Sequence, residues 1–257
     1  MKLIFNLSLA VILSLILTTA AFIRCSPDRL SKIAEKPELF RSNIGATGPE
    51  LTIEFRKGFA YNHPSIAVWL ETMDGQFIQT LFVTKYVATG IFGHGELAPG
   101  KWKAEPGPAV RPATLPYWLH KRGQKTGIVP DLPSPKNPVP DAISGATPVA
   151  DFILKTNSSP EIPLKFRLLL EINQTWDANH YWTNNKFPDD PDYFTSLQPA
   201  LVYAVTIDLE SDITEYFLNP AGHSHYSGKD GNLYTDLSTF TTALNIADQI
   251  IVHITNR

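Results

Sequence analysis

The residues best suited to chemistry lie in one short segment, Asp141-Ala142-Ile143-Ser144-Gly145-Ala146-Thr147. The segment combines turn-forming residues with a threonine hydroxyl, and Pro140 and Pro148 flank it. A hydroxyl held on an accessible bend can act as the acceptor in a group-transfer reaction. The segment can equally be a plain turn after a proline-rich loop, and the residues alone leave both interpretations open.

The pattern Asp-x-x-Ser-Gly-Ala-Thr resembles the flavinylation motif of extracytoplasmic flavoproteins, such as the FMN-binding subunits of sodium-pumping quinone reductases and Rnf complexes. In those proteins a flavin transferase cleaves FAD and attaches FMN to the final threonine as a phosphoester. The resemblance implies covalent FMN on Thr147, with Asp141, Ser144, Gly145 and Ala146 as recognition and positioning residues. Glycine and alanine would keep the approach to the hydroxyl open. FMN would then supply the electron transfer.

A broader resemblance covers about residues 50–155. The stretches SIAVWLETMDGQFIQTLFVTK, LPYWLHKRG and PDAISGATP together look like the DUF2271 family of predicted periplasmic proteins. That family implies a secreted, sandwich-like fold and a link to flavin. It also implies a flavin transferase and a PepSY-type or other membrane reductase as partners. Pro148 differs from the small or hydroxylic residue that usually follows the threonine in FMN-binding domains.

A second polar cluster spans residues 219–238. His223 and His225 would share one face of a strand and could bind a metal, with Asp230 and Asp236 as oxygen ligands. We expect no metal here, because two histidines lack a clear third ligand. A glycine-rich loop whose histidines bond their own backbone is another interpretation. The side chains that could instead contact the flavin are His225, Tyr226 and Lys229.

An aromatic segment occupies residues 172–194. Its rings could form a platform for a sugar, shield a flavin, or be divided between the core and loop anchors. The division between core and anchors is the expected outcome. The aromatic residues concerned are Trp176, Tyr181, Trp182, Tyr193 and Phe194.

The N-terminal residues 1–24 are typical of a signal peptide or an N-terminal membrane anchor. Lys2 precedes a long uncharged apolar run, and small residues at Thr19 and Ala21 suit cleavage after Ala21. The folded part is therefore expected outside the cytoplasm, in the periplasm or on the outer face of the membrane.

Cys25 is the only cysteine, so neither a disulfide within the chain nor a thiolate redox centre can form. Redox chemistry would therefore need a cofactor.

The composition argues against nucleic acid as a partner, because the formal net charge is -3 and phosphate binding needs clustered lysine and arginine.

Short runs in which apolar and polar residues alternate, separated by turn residues, predict an all-β fold, an immunoglobulin-like antiparallel β-sandwich. The predicted strands are 51–57, 65–72, 76–86, 98–105, 162–174, 200–210, 213–220 and 249–255. Asp74-Gly75 predicts a hairpin between the second and third of them.

We expect a short helix over 26–40 within a linker, 25–48, followed by a single sandwich domain, 49–257. A proline-rich insertion at about 106–163 would cover one end or one face of the sandwich. Within it, the residues after Arg111 predict one or two helical turns that end at Gly123.

Three functions from different classes follow from these observations, the third being a metal-binding module centred on His223 and His225. The first is an extracytoplasmic electron-transfer protein with FMN on Thr147, loaded by a separate flavin transferase and working with a membrane reductase. The alternative is a secreted sandwich that binds carbohydrate, peptide or a partner protein through its aromatic loops. Both make the chain a redox carrier or binding protein rather than an enzyme, although reduction of a substrate stays open.

Overall fold

Strands in which buried and exposed side chains alternate make up most of the regular structure. The computed structural model describes residues 36–255, except for the side chain of Asp141. The strands in that range are β1 Glu38–Ser42, β2 Glu50–Lys57, β3 Ser65–Glu71, β4 Phe77–Thr84, β5 Ile91–Phe92, β6 Glu96–Ala98, β7 Lys101–Trp102, β8 Gly107–Pro108, β9 Ser144–Gly145, β10 Phe152–Asn157, β11 Lys165–Asn173, β12 Leu201–Asp208, β13 Glu215–Phe217, β14 Asn219–His223 and β15 Ala247–Thr255. The helices are α1 Lys85–Thr89 and α2 Pro116–Thr126.

The long strands form two sheets that pack as a sandwich. The first sheet has the order β1-β10-β2-β15-β13, and the second has the order β14-β12-β11-β3-β4-β9. Neighbours are antiparallel except for β1 with β10 and β4 with β9, which are parallel. The predicted all-β sandwich is therefore confirmed, with a parallel strand added at one edge of each sheet.

The main core lies between the two sheets. β2 contributes Leu51, Ile53 and Phe55, which alternate with more exposed residues along the strand. Phe55 stacks on Phe152 of β10 with ring centroids 4.8 Å apart. Burial of each such side chain stabilises the fold by about 1.5–3 kcal/mol. The alternation along β2 is therefore enough to determine which face of the strand packs against the core.

A second core covers the outer face of the second sheet, so that this sheet is buried on both sides. Trp69 and Leu169 point away from the sandwich and pack with Leu115 and Trp118 at the start of α2. The carboxyl oxygens of Glu171 accept hydrogen bonds from the amides of residues 117 and 118, which have no acceptor within the helix because they lie at its N-terminus. Leu115 and Trp118 of the proline-rich insertion thus cover the outer face of the second sheet, which is one of the two placements expected from the sequence.

The bounds of that insertion were wrong at both ends. The covering segment begins at Lys85, directly after β4, rather than near residue 106. Before the predicted end at residue 163, β10 Phe152–Asn157 is a central strand of the first sheet. Buried and half-buried residues alternate along this strand, but the run has only six residues and lies between prolines at 148 and 160, so the sequence did not indicate a strand there.

Helix α2 is longer than the predicted one or two turns. It continues through Gly123 and ends at Gly127, which has a left-handed backbone (φ 79°) and donates its amide to the carbonyl of Gly123. Gly123 was mistaken for the helix end. Its lack of a side chain serves packing instead, because a Cβ there would lie 2.4 Å from the carbonyl oxygen of Ile128.

The start of the domain also differs from expectation. The predicted signal peptide or anchor at 1–24 lies outside the described residues, as does most of the helix predicted over 26–40. The last part of that predicted helix is strand β1, Glu38–Ser42, which pairs with β10, so the sandwich begins before the predicted boundary at residue 49. In residues 36–255, neither helix has the length and apolar character needed to cross a membrane.

Candidate functional site

The segment from Asp141 to Thr147 is tied to the edge of the second sheet. Asp141–Ile143 form a 3-10 turn, and the amide of Asn43 donates to the carbonyl of Ala142 at 2.9 Å. Ser144 and Gly145 then form β9, which pairs in parallel with Val83 and Thr84 at the end of β4. The segment is therefore a 3-10 turn and an edge strand, followed by residues 146–148 without regular structure.

Gly145 is required by packing at this edge. An added Cβ would lie 2.7 Å from Cε2 of Phe82 and 3.2 Å from Cδ1 of Phe40. The absence of a side chain thus lets the segment approach two aromatic rings closely. Its neighbour Ala146 is exposed, and Ser144 is half-buried. Sequence reasoning assigned Gly145 to open access for the hydroxyl, whereas the structure gives it a contact with the sheet.

Thr147 is half-buried and lies two residues after the end of this paired strand. Its hydroxyl makes no hydrogen bond within residues 36–255, leaving aside the side chain of Asp141. Threonine hydroxyls can both donate and accept, so this one is available to a partner from outside the domain.

The chain is held again immediately after Thr147. The phenolic hydroxyl of Tyr61 donates to the carbonyl oxygen of Pro148 at 2.8 Å. One carboxylate oxygen of Glu38 accepts the amides of Val149 and Ala150, at 2.6 and 2.9 Å. Burial, followed by the charges of Glu38 and Asp151, raises the pKa of Tyr61, which therefore stays protonated as a donor. Thr147 thus lies between two fixed anchors, β9 and residues 148–150.

Sequence reasoning missed Tyr61 and Glu38. Tyr61 lies in the connection between β2 and β3, and Glu38 lies in β1. Each is distant in sequence from the residue that it holds, and neither belongs to a recognisable motif. Only the parallel pairing of β1 with β10 brings Glu38 to the start of β10.

The side chains expected to contact the flavin form a tight unit elsewhere. His225 stacks on Tyr226 with centroids 4.3 Å apart, and its Nδ1 accepts the amide of Ser227 at 3.1 Å. Tyr226 stacks in turn on Phe187 at 4.0 Å. Burial is the main cause that lowers the pKa of His225, so the ring is predominantly neutral at pH 7.

Lys229 is engaged at the same place. Its Nζ lies 2.8 Å from a carboxylate oxygen of Asp190, and that hydrogen bond raises the pKa of the lysine. The bond also helps to keep the pKa of Asp190 below its usual value, against the opposing effect of burial. Lys229 is thus committed to an ion pair within the loops.

The strand order separates this unit from Thr147. β14, which leads into His225, is one edge of the second sheet, and β9, which leads into Thr147, is the other. Five strand spacings of about 4.8 Å place these edges about 24 Å apart. The structure therefore does not bring His225, Tyr226 and Lys229 next to Thr147, contrary to the arrangement expected for flavin contacts.

The histidine pair does not share a strand face as predicted. β14 ends at His223, whose Nδ1 lies 2.8 Å from the carbonyl oxygen of Ser224 and whose ring stacks on Tyr234. Asp230 accepts from the amide of Asn232 and from Tyr234 within its own loop. Among the described residues, no three His, Cys, Asp or Glu side chains gather in a way that could hold a metal ion.

The aromatic segment divides between buried and exposed rings, as the sequence indicated. Trp182 and Tyr193 are buried and pack with the rings of the neighbouring loops. Trp176 and Tyr181 remain 53% and 43% exposed. Of the tryptophan, tyrosine and phenylalanine rings in this segment, these two are the most accessible to another molecule.

No protein-family model, no curated protein and no solved structure matches this chain.

Proposed function

We propose that the protein is an exported electron carrier with FMN esterified to the hydroxyl of Thr147. The observation that carries this proposal is the environment of that hydroxyl. It is unengaged within the described part of the chain, while the backbone on both sides is anchored by β9 and by the bonds from Tyr61 and Glu38. Because the backbone around Thr147 is already fixed, a transferase that binds this segment loses little free energy in ordering it before the hydroxyl accepts FMN.

The attachment reaction balances without a change in redox state. The Thr147 oxygen forms a bond to the phosphorus of the FMN half of FAD, and the bond between that phosphorus and the bridging oxygen breaks. AMP leaves, and the hydroxyl proton is released. A flavin transferase would supply the catalysis, since the chain only has to present its hydroxyl.

Exposed Ala146 supports access by such an enzyme, because it leaves the side of the segment before Thr147 uncovered. The fixed β9 strand and the Pro148–Ala150 anchor would also hold the attached group in one place after transfer. Bound FMN would supply one- or two-electron transfer, which is the chemistry that the side chains of this domain lack.

The motif and the resemblance to DUF2271 proteins support the setting of this function. They favour an exported protein, in the periplasm or on the outer face of the membrane, loaded by a flavin transferase and reduced by a PepSY-type or other membrane reductase. The role is then that of a redox carrier rather than an enzyme.

The test is coexpression of the full chain with a flavin transferase, followed by a denaturing gel viewed under ultraviolet light. We expect a fluorescent band for the natural chain and for Thr147→Ser, and a dark band for Thr147→Ala. Thr206→Ala, in an exposed position of β12, is the matched control and should stay fluorescent. A dark natural chain, alongside a labelled control substrate of the same transferase, would overturn the proposal.

A further inference from the structure

A small pocket beside the most exposed tryptophan has no part in the proposed flavin site. Its volume is about 430 Å³. The residues that line it are Trp176, Ala178, Asn184, Phe194 and Leu197. Pockets of this size suit a single ring or a pair of rings, since ligand sites start at about 300 Å³.

The backbone at this pocket is held in an unfavourable conformation at two places. Trp176 has φ 59° and Leu197 has φ 73°, both in the left-handed region that bulky side chains rarely adopt. Both residues line the pocket. Leu197 forms a parallel bridge with Asp177, the residue that follows Trp176. Strain of this kind persists where surrounding structure enforces it, and it concentrates at binding sites.

A hydrogen-bond network enforces this conformation. The amide of Asp177 donates to the carbonyl of Ser196 at 3.0 Å, and the amide of Gln198 donates to the carbonyl of Asp177 at 3.1 Å. The side-chain amide of Asn179 donates to Gln198 Oε1 at 3.0 Å and to the carbonyl of Thr239 at 2.8 Å. The pocket is therefore preformed, because its walls are fixed before any ligand arrives.

Trp176 offers a flat apolar face on this fixed support. It is 53% exposed, whereas the indoles of Trp69, Trp118 and Trp182 are buried. The ring of His94 lies beside it, with centroids 5.7 Å apart, and steadies its orientation. A large aromatic ring left half in water on a strained backbone stabilises the fold less than a buried ring would, and such a position is typical of a binding site.

The chemistry of the lining selects the kind of ligand. None of the five lining side chains is charged, so the lining offers no opposite charge to a phosphate, a carboxylate or an ammonium group. Asn184 is exposed, and its side-chain amide makes no hydrogen bond within residues 36–255. The site therefore combines the aromatic face of Trp176 with the side-chain amide of Asn184, which can both donate and accept a hydrogen bond.

We propose that this pocket binds one ring of a neutral saccharide, stacked on Trp176 and hydrogen-bonded to Asn184. The axial C–H groups of a pyranose carry slight positive charge and fit the negative face of an indole, while its hydroxyls both donate and accept. This inference stands independently of FMN on Thr147. It places the sugar-binding alternative at one defined pocket.

The experiment titrates the full-length protein with neutral tetrasaccharides of glucose, mannose and N-acetylglucosamine while recording tryptophan fluorescence. We expect a saturable blue shift with at least one of them, because a bound sugar removes water from Trp176. Trp176→Ala and Trp176→Gly should weaken binding at least tenfold, and Asn184→Ala should weaken it several-fold. Calorimetry measures the affinity of the variants that lack the indole.

Trp176→Gly keeps the test valid if alanine disturbs the fold, because glycine adopts the left-handed backbone without strain. It should lose binding while its melting temperature stays equal to or above that of the natural chain.

Tyr181→Ala is the control for these variants. It removes an exposed ring of the same loop outside the pocket lining and should leave binding unchanged. The absence of binding to all three sugars would overturn the proposal, as would binding unaffected by loss of the indole. Thr147→Ala should bind sugar normally, which separates this site from the flavin.

Discussion

Tyr61 donates its phenolic hydrogen to the carbonyl oxygen of Pro148, the residue directly after Thr147. The bond joins the β2–β3 connection to the segment that carries the candidate acceptor. It fixes the backbone next to the threonine while leaving the threonine hydroxyl itself unengaged.

Tyr61→Phe should slow flavin attachment because it releases the backbone after Thr147. Loss of the hydrogen bond should also lower the free energy of unfolding by about 1 kcal/mol. Tyr216→Phe is the matched control, since that hydroxyl donates to the carbonyl of Asp208 at 3.1 Å, outside this segment. We expect a similar loss of stability in both variants by urea denaturation, but slower attachment only in Tyr61→Phe. Equal attachment rates would show that the Tyr61 bond does not position Thr147.

Glu38→Ala should loosen the amides of Val149 and Ala150, which share one carboxylate oxygen as acceptor. Hydrogen exchange at these two amides should become faster, because each loses its partner. The exposed Glu105→Ala serves as the control and should leave both rates unchanged. Unaltered exchange in Glu38→Ala would mean that the parallel pairing of β1 with β10 holds the turn without this carboxylate.

Gly145→Ala should destabilise the domain, because the new methyl group would overlap the ring of Phe82 at 2.7 Å. Overpacking of this kind costs about 1–3 kcal/mol. Ala146→Ser changes the next residue, which is exposed, and should stay within about 0.5 kcal/mol of the natural chain. Chemical denaturation compares the two variants. Equal stabilities would show that the segment can move off the aromatic pair without cost.

Much of the sandwich could be predicted because its strands carry their own signal. Leu51, Ile53 and Phe55 alternate in β2, and Asp74-Gly75 supplies the turn between β3 and β4. β10 was missed because its six residues lie between prolines, and β1 because its pairing is with a distant strand. Pairing partners depend on the whole chain, so local periodicity does not reveal them.

The candidate site was only partly predictable for the same reason. Thr147 belongs to a local motif, so the sequence could single it out. Its anchors Tyr61 and Glu38 come from other strands and connections, and nothing near them indicates the contact. The separation of His225 from Thr147 follows from strand order, which the sequence did not specify.

Stability should depend on pH through Glu171 of β11, whose side chain accepts the first amides of α2. Burial raises its pKa from 4.5 to about 8, and the amides of Trp118 and Tyr117 only partly oppose that shift. Because the pKa of Glu171 is higher in the folded chain than in the unfolded chain, the folded state binds the proton more tightly. The resulting stabilisation is fully present below pH 4.5 and is lost as the pH rises through about 8. The free energy of unfolding should fall by up to about 5 kcal/mol across that window.

Glu171→Gln should flatten this pH dependence, because glutamine does not ionise. Its single side-chain oxygen still accepts one helix amide, so the variant should fold. Urea denaturation at pH 5 and pH 8 compares the natural chain with the variant. The same slope in both proteins would assign the pH dependence to other groups.

The central claim is that the Thr147 oxygen carries FMN, and the most direct measurement is intact mass of the protein purified from cells that contain a flavin transferase. We predict a gain equal to one FMN less one water, located by fragmentation on the peptide that contains Thr147 and absent from Thr147→Ala. A mature chain whose mass equals that of its amino acids alone, from cells whose other flavin carriers are loaded, would contradict the claim.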